Sequence, residues 1–129
     1  MVGGDPFKTA LLKEFRMKDI KKIANHLGWE TTFESKTSIF FNQYSPAGED
    51  FGFSVDVENT KDIEQIAKEV KSYADDFSVD EHVEMWLPQR GKGGCPDTIT
   101  GLIEDAEAIK DMLNEFSDFL QKGDFKEVK

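Results

Sequence analysis

Cysteine occurs once in 129 residues, at Cys95, so no disulfide closes within the chain. No apolar run approaches the roughly 18 residues of a membrane span, and no leader with an apolar core opens the sequence. These absences predict a cytoplasmic protein without membrane contact. Positive charge is scarce as well: 16 Lys and Arg stand against 26 Asp and Glu, a formal net charge of −10 and a pI near 4.6. Such a balance opposes non-specific binding to DNA and to anionic membranes. Histidine is limited to His26 and His82. Neither has a second histidine four residues away, so no zinc pair and no cofactor is implied. Repeats and low-complexity segments are lacking.

Phenylalanine, by contrast, is abundant at 11 residues. It fills cores and offers no chemistry. A chain of this length is expected to form one domain, 1–129, with 1–6 and 122–129 as frayed ends. Its organising stretch is Thr98 to Leu120. Ile99, Leu102, Ala106, Ile109, Leu113, Phe116 and Leu120 recur at alternating steps of three and four, which makes one stripe along a helix. Ile103, Met112 and Phe119 widen the stripe into a core-facing surface. That width favours internal packing over a two-helix seam, with monomer or homodimer both left open.

A first helical segment is expected over about Phe7 to Leu27, interrupted at Met17 and Lys18, with Asp19 able to cap a restart. It is locally basic, through Lys8, Lys13, Arg16, Lys18, Lys21 and Lys22. Gly28 marks its stop, and Trp29 is placed to fold back. Three strands follow, near 29–34, 37–44 and 51–58. Each alternates apolar and polar residues, and the short turns between them imply an antiparallel meander. Phe40 and Tyr44 fall on the outer face. Asn59 is expected to cap a helix through Phe77, and Ser78 with Glu81 forms a capping box for another ending at Pro88. The class is α+β, order α-β-β-β-α-α-α, with helices on one face of the sheet and a long C-terminal helix.

Candidate chemistry is sparse. The loop Arg90, Gly91, Lys92, Gly93, Gly94 lacks the Ser or Thr and the preceding strand of a phosphate loop, and reads as a connector that could contact an anion or a partner. Cys95 has no base beside it in sequence. With 26 acidic residues, no single carboxylate pair is informative. The long helix instead carries Glu104, Asp105, Glu107, Asp111, Glu115 and Asp118 on its outer side. Carboxylate rows on packed helices can imitate backbone phosphates and occupy a basic groove.

The α-β-β-β-α order of residues 1–77 resembles the double-stranded-RNA-binding fold. That family opens its second helix with a basic cluster; this chain has Thr60-Lys61-Asp62-Ile63-Glu64. Asp80-Glu81-His82-Val83-Glu84-Met85-Trp86, Gly94-Cys95-Pro96 and Leu102 to Leu113 resemble a group of small acidic proteins of unknown function on phages and mobile elements of Firmicutes. That resemblance implies a protein that binds and blocks a host protein, a nuclease being one form. The expected function is therefore a non-enzymatic protein-binding module using an acidic surface against a basic protein. Direct nucleic-acid binding through the first helix with Phe40 and Tyr44 is the second reading, and an enzyme with carboxylate or Cys95 chemistry the third.

Overall fold

A computed structural model describes residues 19–92 and 95–128. The elements are α1 (Ile20–His26), β1 (Glu30–Phe33), β2 (Ser38–Tyr44), β3 (Asp50–Asp56), α2 (Ile63–Asp76), α3 (Val79–Trp86) and α4 (Ile99–Lys122). This is the α+β order read from the sequence. The helical expectation for 7–18 lies outside the described residues.

Alternation builds the sheet. The strands pair antiparallel in the order β1-β2-β3, with Thr31 opposite Phe41 and Phe41 opposite Phe53. Ile39, Phe41, Phe51, Phe53 and Val55 are buried on the inner face. On the outer face the Phe40 ring lies over Gly52, where an added Cβ would stand 2.3 Å from its Cζ. Only glycine admits that approach. Tyr44 is 68 % exposed.

The caps fix where the helices begin and end. Asp19 accepts the Lys21 N–H at 2.8 Å and starts α1. Gly28 takes a left-handed φ of +91°, and the Trp29 N–H then donates back to Ala24 O at 2.9 Å. Trp29 is thereby turned into the core. Ahead of α2 the cap differs from expectation. Asn59 accepts from Lys61 N–H and closes a turn, while Asp62 caps the helix by accepting from Gln65 N–H at 3.2 Å. Thr60 and Lys61 are used in that turn, so the helix starts later. At the other end of α2, Asp75 and Asp76 oppose the helix dipole. The Lys110 ammonium compensates by donating to the carbonyls of Ala74 and Phe77.

Thr98 caps α4 by accepting from Gly101 N–H at 2.9 Å, and its 24 residues give a length of about 36 Å. Leu102, Ala106, Ile109, Leu113, Phe116 and Leu120 are buried, as the stripe requires, and Met112 and Phe119 pack on the core edge. Ile99 and Ile103 are exposed instead. At this end of α4, only a small second core covers Leu102 and Ala106 with Val79, Val83, Trp86 and Leu87. The tail is also corrected. Far from fraying throughout, it turns at Gly123 (φ +67°) and buries Phe125 and Val128 in the main core. The Phe125 ring lies 5.6 Å from that of Phe119. One core thus runs from Ile20 to Val128.

Candidate functional site

Glu104, Glu107, Asp111, Glu115 and Asp118 follow one another at steps of three, four, four and three along α4. This spacing puts them on one face, opposite the buried stripe. All five are exposed, and among the described residues none makes an ion pair. The row spans about 21 Å at 1.5 Å per residue. That is about 5 Å per charge, against about 3.4 Å per phosphate along one strand of DNA.

Asp105 does not belong to this row. It sits next to Glu104 in sequence but on the inward side of the helix, 6 % exposed. Its Oδ2 accepts the Ser45 hydroxyl at 2.8 Å, and its Oδ1 accepts the Ala47 N–H at 3.0 Å. A partner-binding role through this carboxylate is therefore replaced by a structural one.

Asp105 is the inner end of a polar cluster that ties the β2–β3 loop to α3 and α4. Gly48, at φ +99°, lets the loop turn tightly, and its N–H donates to Ser45 O. The Ser45 hydroxyl in turn accepts the Glu49 N–H at 3.0 Å. The Glu49 carboxylate meets Nε2 of His82 at 3.0 and 3.1 Å, both side chains only 10 % exposed. The imidazole packs among Phe51, Phe77 and Trp86. A groove of about 240 Å³, lined by Tyr73, Phe77, His82 and Met85, opens beside it. Burial pushes the Tyr73 phenol up. Nothing adjacent in sequence joins Ser45, Glu49, His82 and Asp105. The turn residues of Ser45-Pro46-Ala47-Gly48-Glu49 were the only signal.

The cluster holds the loop in place. The Ser45 hydroxyl is engaged on both sides, as donor to Asp105 and acceptor from Glu49. Cys95 is half-buried, with Sγ 3.9 Å from Trp86 O rather than against a histidine. Burial, then the negative charges of Glu49 and Asp105, push its thiol up. Thiolate is the reactive form, so iodoacetamide should label Cys95 at pH 8 more slowly than a free cysteine. Labelling should reach the free rate in denaturant, which a stopped time course followed by mass spectrometry reads directly. Among the described residues no group of three His, Cys, Asp or Glu side chains could hold a metal ion. His26 stacks on Phe119 at 5.5 Å.

Arg90 and Lys92 are exposed on the connector, while Gly93 and Gly94 lie outside the described residues. The amides of Gly91, Lys92 and Cys95 donate to Pro96, Gln89 and Lys92 carbonyls. Those three amides are thus not free to cradle an anion. On the outer sheet face, Phe40 and Tyr44 stand among Glu30, Glu34, Asp50 and Asp56. Glu34 is held there by the hydroxyls of Ser38 and Ser54.

Among the described residues no helix is long and apolar enough to cross a membrane. Comparison of the chain with protein-family models, with curated proteins and with solved structures finds no match.

Proposed function

We propose that this protein is a non-enzymatic binding module that presents the α4 carboxylate row to a basic groove of another protein, in the manner of a nucleic-acid strand. The concrete form is an inhibitor of a host nuclease or another nucleic-acid-binding protein. The observation that carries this reading is the row itself: five exposed, unpaired carboxylates on a long helix whose opposite side is fixed in the core. A rigid array of charge needs no ordering on binding, which favours association. The resemblance of residues 80–113 to small acidic proteins of mobile elements supports the same direction.

Base stacking on Phe40 and Tyr44 has less support, because Glu30, Glu34, Asp50 and Asp56 would repel phosphates on that face. The test is DNA cleavage by purified restriction and RNA-guided nucleases in the presence of this protein. Competitive inhibition of at least one enzyme is expected, with the variant E107K/D111K/E115K weaker by about two orders of magnitude. Equal inhibition by wild type and variant would refute the role of the row. So would a panel left uninhibited.

A further inference from the structure

The edge of the sheet at β1 is a second surface, separate from the α4 row. Among the described residues β1 pairs only with β2. The Glu34 N–H donates to Ser38 O at 3.0 Å, which makes these two a hydrogen-bonded pair. Alternation along an antiparallel ladder then turns the N–H and C=O of Thr31 and Phe33 away from β2, towards the open edge. Beside that edge, between α1 and β1, runs a groove of about 470 Å³. Trp29 and Thr31 line it, with Asp19, Lys21, Lys22 and Glu30.

Two features of this edge are incomplete. Thr31 is only 8 % exposed, yet its Oγ1 lacks a hydrogen-bond partner. A buried hydroxyl in that state is uncommon and destabilising. Phe33 lies on the same face of the strand and is 44 % exposed, with the Lys21 ammonium 6.0 Å above its ring. The edge therefore presents an exposed aromatic ring beside a groove.

We propose that β1 is the seam of a homodimer. A second copy adds its own β1 antiparallel across a two-fold axis at Thr31, joining two three-stranded sheets into one of six strands. A surface that carries both a projection and a recess suits a copy of itself, because a two-fold axis brings each onto the other. In this register Thr31 faces the partner's Thr31, and a χ1 rotation of each would bring the two unpaired hydroxyls out of the single chain and together. Phe33 faces the partner's Trp29 and enters the groove beside it. The charges fit as well: Lys21 and Lys22 balance Asp19 and Glu30 along the groove, on a chain whose net charge is −10.

Sedimentation equilibrium of the full chain tests the proposal, from about 1 to 200 µM at about 50 and 500 mM NaCl. The expected result is a mass of twice 14.7 kDa at the upper concentrations, with association stronger at high salt because the residual repulsion between acidic copies is screened. Thr31→Pro removes an outward N–H without touching the β1–β2 ladder and should give a monomer with an unchanged circular dichroism spectrum. Should that variant unfold, Phe33→Glu at the exposed ring provides the same reading. The triple variant E107K/D111K/E115K should still dimerise, which separates this seam from the α4 row. A wild type that stays monomeric at 200 µM in both salts overturns the proposal. So does a dimer that survives a folded Thr31→Pro or Phe33→Glu variant.

Discussion

Phe116→Ala should lower stability by about 4 kcal/mol, the largest effect of any single truncation considered. The Phe116 ring joins the helical layer to the sheet. Its centroid lies 5.5 Å from that of Trp29, nearly parallel, and 5.0 Å from that of Phe41, edge-on. Trp29 in turn meets Phe51 and Phe53. Removing the ring loses its transfer free energy and opens a cavity beside Trp29 and Phe41, both fully buried, where little relaxation is possible. Urea unfolding followed by tryptophan fluorescence measures the change. A loss below about 1 kcal/mol would mean that α4 does not pack on the sheet through this residue.

Asp105→Ala should lower stability by about 3 kcal/mol, while Glu104→Ala, one residue away, should change it by less than about 0.5 kcal/mol. The contrast follows from the two sides of one helix. Asp105 accepts two hydrogen bonds in a buried site, from Ser45 and Ala47, and its removal strands both donors. Glu104 is exposed and unpaired. For a domain of this size the Asp105 variant should melt roughly 10 °C lower. Comparable losses at both positions would contradict the inward placement of Asp105.

Much of the fold was legible in the sequence because it rests on local rules. The steps of three and four in α4, the alternation in the strands, Gly28 as a stop and Ser78 as a cap each act over a few residues. Errors arose where a distant contact decides. Asp105 shares its residue type and its neighbourhood with the exposed carboxylates. Only the β2–β3 loop, nearly 60 residues earlier, draws it inward. The stripe extends to Ile99, but the small α3 core reaches no further than Leu102. Phe125 and Val128 follow a helix stop and carry no periodicity of their own, so their burial depends on a core assembled elsewhere. The pairing of Glu49 with His82 is invisible for the same reason. The five exposed carboxylates of α4 are legible as one face because their spacing is helical.

We propose that this row, rather than the chain's overall acidity, makes the binding surface. The most direct measurement is the dissociation constant for an inhibited nuclease at about 50 and 300 mM NaCl, for the wild type and for E107K/D111K/E115K. A control variant should carry three reversals elsewhere, at Glu58, Asp76 and Glu84, so that both variants have the same net charge. Wild-type and control binding should weaken by about tenfold or more with salt, and the row variant should bind far more weakly at either salt. Equal loss in the row and control variants, or binding indifferent to salt, would contradict it.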